Sequence, residues 1–398
     1  MNRAVDKEVA AQSPTRRLVT LSGRVIDPRG RAIAGVQVLV PDNKPALTNG
    51  NGEFKVTGIT PTERLAVSFS STNFMNYTRI FKAEEKALQR TQIVVLWPRA
   101  KAVTLDAARG GKVRFSTGGG LTLAPNSLVD SKGQPLRGKV MISLTNLDVS
   151  NREQLKRVPG DFTARMSDKS IRMLESFGVF EINATDARGR RADLAPGKSA
   201  RFELPIARAL RERAPKRSKL FSFDTSNGQW VEEGEVVLTE QLVYSGTINR
   251  FDWDWNVDNP LDTTCITVKF VDVYGSNAGP IANALVEATG VNYSTISSGY
   301  TNSAGLVCLL VKINSPILIT GYDPPGNPIG PINVTSPNVV SGAGDCGNPT
   351  LCPVITTVEQ DARLIFPNTD PVKAALSRFV HTHVSPNSES PGQQRSKL

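Results

Sequence analysis

Histidine is almost missing: only His381 and His383 occur in 398 residues. Both lie in a Ser/Pro/Gln-rich tail where no core would hold a catalytic triad or a facial metal triad, so counting argues strongly against histidine-based catalysis. No run of 18 apolar residues exists, so no apolar segment is long enough to span a membrane as a helix. Residues 1–17 have no apolar h-region, so a leader is absent from this chain or export takes another route. No Lys-Ser/Thr follows Gly118–Gly120, which argues for a β-turn there and against a phosphate cradle. The 37 acids single out no pair spaced for glycosidase chemistry. A net charge of +10 comes without a zinc-finger, RNP-type or basic-helix pattern, which speaks against nucleic acid.

What is present points to strands. The 32 Gly and 26 Pro are scattered along the chain, as many short strands joined by turns require, and the length suits two to four domains. Charge is divided: residues 221–370 carry 16 acids against 4 Lys/Arg, whereas residues 1–220 carry 39 Lys/Arg against 20 acids. That split favours contact between the halves, or head-to-tail self-association of molecules, as readily as polyanion binding. Within the basic part, Ala207–Lys219 (ARALRERAPKRSK) reads as a solvated linker or surface loop, with docking to an acidic surface, including this chain's own acidic half, as the second reading.

All four cysteines, Cys265, Cys308, Cys346 and Cys352, fall in the last third of the chain and allow three pairings. Cys346 and Cys352 bracket the short Gly/Pro turn GNPTL, while Cys265 and Cys308 sit in two β-like runs. The expected pairs are therefore Cys265 with Cys308 and Cys346 with Cys352, in an oxidising compartment. Four buried thiols in a cytosolic domain are the other reading; zinc lacks a CxxC pair and a nearby histidine.

Two distant segments, residues 22–56 and 267–311, read alike. Each has a β-branched run ending at an aspartate (Asp27, Asp272), a turn glycine (Gly30, Gly275), an Ile-Ala-x-x-x-Val strand, then Thr-Asn and a glycine before another apolar strand. Alternation such as Val36, Val38, Val40 and the Asn-Gly steps predict a small antiparallel sandwich with tight hairpins. The aspartates are expected to bond the backbone of the turns that follow them. On Gly23–Phe54 the first copy resembles the carboxypeptidase regulatory-like domain, a transthyretin-like sandwich of seven strands that is non-catalytic in the proteins that carry it. The second copy departs from that pattern at Asn283, where glycine is usual, and at Val307-Cys308, where an aromatic is usual.

Between the copies, Leu121-Thr-Leu123-Ala-Pro125-Asn126-Ser127-Leu128 and Val140, Ile142, Leu144 alternate as half-buried strands. These residues resemble a ZU5-type β-sandwich. Phe221–Asp224, Gly228–Gly234 and Thr247–Asn259 resemble the corresponding region of cartilage intermediate layer protein-like surface and matrix proteins. The resemblance implies an extracellular or cell-surface role and no activity or cofactor.

The sharpest local ligand-site candidate is Phe251–Asn259. Strand alternation would place Phe251, Trp253 and Trp255 on one face and Asp252 and Asp254 on the other. One reading is a core strand with its apolar side in and acids out; the other is an aromatic platform for a sugar, or carboxylates around Ca²⁺. The expected architecture is all-β: tandem antiparallel sandwiches, transthyretin-like or immunoglobulin-like, at 18–100 and 260–360, flanking a ZU5-like region at 101–245. A Trp-rich connector at 246–259 and disordered ends at 1–17 and 361–398 complete it. The expected function is a non-enzymatic extracellular or cell-surface scaffold that binds protein or glycan, with a carbohydrate-binding module around Trp253 and Trp255 as the alternative. A Ser396-Lys397-Leu398 terminus reads as a peroxisomal address, which conflicts with disulfides.

Overall fold

The computed structural model describes residues 17–83, 92–251, 254–273, 278–324 and 327–360. The expectations placed on residues 1–16, on the tail from 361 (with both histidines and the terminal tripeptide), on Asp252, on Trp253 and on Gly275 lie outside the described residues. The chain is all-β, built as antiparallel sheets around three cores.

The first sandwich contains β1 (Val19–Ile26), β2 (Gln37–Leu39), β3 (Ala46–Leu47), β4 (Glu53–Ile59), β5 (Thr62–Ser71), β6 (Phe74–Ala83) and β7 (Gln92–Val95). Its sheets run β4-β1-β7 and β3-β2-β5-β6, with β1 and β7 parallel. Alternation along β1 sends Val19, Leu21 and Val25 into a core they share with Val36, Val38 and Phe69.

The middle region follows with β8 (Val103–Asp106), β9 (Gly111–Phe115), β10 (Gly118–Leu123), β11 (Leu128–Asp130), β12 (Lys139–Leu147) and the short helix α1 (Arg152–Leu155). It continues through β13 (Thr163–Arg165), β14 (Ile171–Asp186), β15 (Ala192–Leu194), β16 (Ala200–Pro205), β17 (Arg217–Asp224), β18 (Gln229–Leu238), β19 (Val243–Ile248) and β20 (Trp255–Pro260). One sheet runs β8-β12-β14-β20-β17-β18-β19-β16-β10-β9, with β13 against β14 and β18, and folds around one core that includes Phe180, Phe202, Phe221, Trp230, Tyr244 and Trp255. The turn before Gly118 is Ser116-Thr117; Gly118 pairs with Phe115, and Gly119-Gly120 lie at the bulge between β9 and β10 rather than in the turn itself.

The third sandwich has β21 (Thr263–Asp272), β22 (Gly279–Pro280), β23 (Leu285–Gly290), β24 (Ile296–Tyr300), β25 (Leu306–Lys312), β26 (Pro316–Tyr322), β27 (Pro328–Thr335) and β28 (Val354–Glu359). Its topology repeats the first: β25, β21 and β28 stand for β4, β1 and β7, again with a parallel last strand, and β24-β23-β26-β27 stand for β3-β2-β5-β6.

The repeat holds at the level of single hydrogen bonds. Thr48 Oγ1 donates to Ile33 O and accepts from Val36 N; Thr301 Oγ1 donates to Ile281 O and accepts from Ala284 N. Asn49 Oδ1 accepts from the N–H groups of Asn51 and Glu53, as Asn302 Oδ1 does from Ala304 and Leu306. Gly52 and Gly305 both take positive φ, and a Cβ on either would fall 2.4 Å from a carbonyl oxygen, of Val25 and Phe270 respectively. Asn283 replaces glycine without disruption because it occupies the same left-handed region (φ 58°) as Gly35 (φ 69°), which asparagine tolerates.

The turn chemistry expected of Asp27 recurs. In Asp27–Arg31, Asp130–Gln134 and Asp186–Arg190, the aspartate Oδ1 accepts from the backbone N–H groups two and four residues on. For Asp27 and Asp186 burial opposes ionisation, but these backbone bonds and a following arginine outweigh it and hold the carboxyl below its ordinary range.

Three expectations need correction. The segment 246–259 is not simply a connector: Trp255–Pro260 pairs with β14 on one side and β17 on the other, inside the middle sheet. Ala207–Lys219 is solvated, as a surface loop would be, at Arg208, Arg211, Lys216 and Arg217, but it is not a free linker. Residues Arg208–Arg213 form a 3₁₀ helix that buries Leu210, and Arg217–Lys219 begin a paired inner strand, so the segment is anchored to the middle region while Arg213, Arg217 and Lys219 meet Glu175, Glu235 and Glu232. The cysteines pair Cys265–Cys352 and Cys308–Cys346. Cys265 lies opposite Leu310 and Cys308 opposite Thr267, so the two are diagonal on adjacent strands, beyond the usual Cα reach of a disulfide. The 342–353 segment crosses the outer face of that pair and supplies each strand cysteine with a partner at Cα separations of 4.9 and 5.8 Å.

Candidate functional site

The strand that carries the predicted ligand site is buried on both faces. Trp255 is 1 % exposed and Phe251 is in the core, so the aromatic platform does not form at Trp255. The acids do not face solvent either. Asp254 and Asp258 are both buried: Asp254 lies toward Glu181 and Arg99 at the junction with the first sandwich, and Asp258 pairs with Ser176 at the end of β14 covered by the third sandwich, where Ser176 N donates to Ser294 O and Thr295 Oγ1 donates to Leu174 O. Burial pushes both carboxyls well above the ordinary range, with Glu181 adding to the effect at Asp254 and Arg99 opposing it. Asp258 joins a polar chain in which Ser176 Oγ donates to Asn256 Oδ1 and Asn256 Nδ2 donates to Asp258 Oδ2. Aromatic in and acid out was only half the arrangement, since a strand at the centre of two packed layers has no outer face.

What the structure brings together instead is a set of charged seams between the three sandwiches. At the first, Arg99 donates from Nε and Nη2 to the two carboxylate oxygens of Glu181, each at 2.9 Å, and Asn76 N donates to Glu181 Oε1. The side chains of Arg99 and Glu181 are 7 % and 5 % exposed, and this planar two-point geometry is the one that compensates best for burying both charges. Arg64, on β5, reaches the middle region through Asp161, Thr163 Oγ1 and the carbonyl of Gly228.

At the second seam, Glu175 of β14 faces Arg213 and, at 3.4 Å, Lys312 of β25. Arg213 also donates to Ser294 Oγ at 2.8 Å, and Met173, Leu261 and Tyr293 form an apolar cluster beside these charges. A third seam closes the arrangement. Lys156, just after α1, lies 3.0 Å from Glu287 of β23, while Tyr77 of the first sandwich donates to Lys156 O. Burial opposes its charge, yet Glu287, Tyr322 and Glu153 hold the Lys156 ammonium above its ordinary pKa. Around this contact is a cavity of about 340 Å³ whose walls come from all three units, among them Arg79, Arg157, Glu287 and Tyr300.

These residues were not singled out by sequence reasoning. One signal was visible: Glu181 interrupts the apolar run Phe177–Ile182, and a carboxylate in such a run is buried only with a partner. The partner, Arg99, could not be named without the fold. Among the described residues, the cluster with metal-type donor spacing is Cys265, Cys308 and Cys352, and these are in disulfides. No helix among the described residues is long and apolar enough to cross a membrane.

Comparison with known proteins agrees with the first sandwich. Residues 20–115 match the family model described as the carboxypeptidase regulatory-like domain. Cartilage intermediate layer protein 2 of Mus musculus is 26% identical over 252 residues, which cover 57% of this chain and 20% of that protein. Cartilage intermediate layer protein 1 of Homo sapiens is 24% identical over 246 residues, covering 60% and 21%. The chain thus spans about a fifth of the length of the curated relatives it matches. Among solved structures, the Bacillus anthracis TIE protein aligns at 9% identity over 86% of this chain and 50% of its own, with a TM-score of 0.18. The major pilin subunit BcpA of Bacillus cereus aligns at 10% identity over 87% of this chain and 100% of its own, with a TM-score of 0.16.

Proposed function

We propose that this chain, with its carboxypeptidase regulatory-like domain at 20–115 and its distant similarity to cartilage intermediate layer proteins, is a non-enzymatic structural scaffold of the extracellular space or cell surface. Its partner is a protein or a glycan, met by loops rather than by a catalytic cleft. The observation that carries this reading is the set of ion pairs that tie each sandwich to its neighbours, Arg99–Glu181 above all, with Lys312–Glu175 and Lys156–Glu287 joining the third. A spacer must keep its ends in a constant relation, and domains joined by flexible linkers alone would move independently. Two disulfides suit an oxidising compartment. The basic and acidic parts of the chain meet within the molecule: residue 220 falls inside β17, where Lys219 pairs with Glu232 and Glu235.

Calorimetry tests the rigid-body part. One cooperative unfolding transition is expected for the wild type, and Glu181→Ala should separate the first sandwich as an earlier transition, because Arg99 is left buried without its anion. Independent transitions in the wild type would refute the scaffold reading. Protease treatment of intact cells of the native host tests location: loss of the protein without lysis is expected, and full protection would place it inside.

A further inference from the structure

The two disulfides of the third sandwich touch. Cys308 Sγ lies 3.7 Å from Cys352 Sγ although they belong to different pairs, and the sulfurs of Cys265, Cys308 and Cys352 all fall within 4.8 Å of one another. The pairs differ in access. Cys265 and Cys352 are buried, at 0 % and 2 % exposure, whereas Cys308 is half-buried and Cys346 is exposed.

Disulfides exchange when a thiolate reaches one sulfur and the other departs, so access selects the point of attack and proximity selects the next step. An external thiol meets Cys346 first. Attack on Cys346 Sγ breaks the bond to Cys308 and releases a Cys308 thiolate already in contact with Cys352. Attack of that thiolate on Cys352 Sγ forms a Cys308–Cys352 bond and releases Cys265. The displaced Cys265 takes up a proton, and its S–H faces Leu351 O at 3.6 Å, a carbonyl placed to accept it. A neutral thiol also suits a fully buried position better than a thiolate does.

We propose that Cys346 is an attachment site for an external thiol, and that its capture is relayed through Cys308 to convert Cys265–Cys352 into Cys308–Cys352. One thiolate and two disulfides enter; a mixed disulfide at Cys346, the Cys308–Cys352 disulfide and one thiolate leave, so no oxidant or reductant is consumed. The relay leaves the 342–353 segment tied to β25 through Cys352 while Cys346 carries the new group. The chemistry the site recognises is a thiol.

The test uses the full chain and reduced glutathione as the probe, with acid quenching, denaturation, capping of free thiols by N-ethylmaleimide, and non-reducing mapping after chymotryptic cleavage at Leu351, which separates Cys346 from Cys352. The expected result is glutathione on Cys346, maleimide on Cys265 and a Cys308–Cys352 linkage. Glutathione on Cys308, maleimide on Cys308 with Cys265–Cys352 retained, or no adduct would overturn the proposal. A second variant, Cys346→Ser, frees Cys308 without any added thiol. It is expected to show Cys308–Cys352 with Cys265 capped, and a retained Cys265–Cys352 with Cys308 capped would overturn the relay.

Discussion

The first and third sandwiches share one backbone frame and fill it differently. In the first, Gly23 sits opposite Phe54 and Val38 opposite Phe69, and the two rings meet edge to face at 5.5 Å. The same positions in the third hold Val268 opposite Val307 and Val286 opposite Gly321, and the missing aromatic volume is returned by Phe270, whose ring covers Gly321 where the first sandwich has Val25. The Thr-Asn-x-x-Gly turn and its hydrogen bonds do not change. Core volume is therefore exchangeable between neighbouring positions so long as the total is kept, whereas the bonds that close a turn are not. The third sandwich adds a covalent element to its outer sheet that the first lacks among the described residues.

The largest way to break the comparison is to remove that element. Full reduction and capping of the cysteines should cost about 2–5 kcal/mol and let the third sandwich open ahead of the rest of the body, since both closed loops lie wholly within it. Hydrogen exchange read separately in strands β4 and β25 measures it; equal losses in both would mean the staples support the whole body rather than one unit. A smaller and sharper comparison pairs Thr48→Val with Thr301→Val. Each variant deletes one donated and one accepted bond at a buried site, so each should cost about 1–3 kcal/mol, and the two costs should agree if the turns are physical equivalents. The smallest effect is in acid. Asp27 has its folded pKa depressed, so it contributes stability above its unfolded value that is lost as pH falls through the folded one. Asp27→Asn should flatten that acid loss, read as the pH dependence of the unfolding free energy, and an unchanged slope would mean that the Asp27 turn carries none of it.

Much of this was open to reading along the chain. The repeat could be seen because turn chemistry is local: Thr48-Asn49 and Thr301-Asn302 bond groups within a few residues, apart from the threonine's reach back to the preceding strand. The all-β class followed from alternation and scattered glycine and proline. The seams could not be seen, because Arg99 and Glu181, or Lys156 and Glu287, meet across packed layers and leave no spacing in the sequence.

By itself the sequence determined the all-β class, the two like sandwiches, their turns and the position of every cysteine, all of which depend on residues near one another or on which face a side chain takes along its own strand. Only the tertiary structure decided which cysteines join, that Trp255 and Asp258 lie inside, and which charges meet. Those outcomes depend on what is packed over a strand's second face, and a strand's own residues do not say whether that face meets water or another layer.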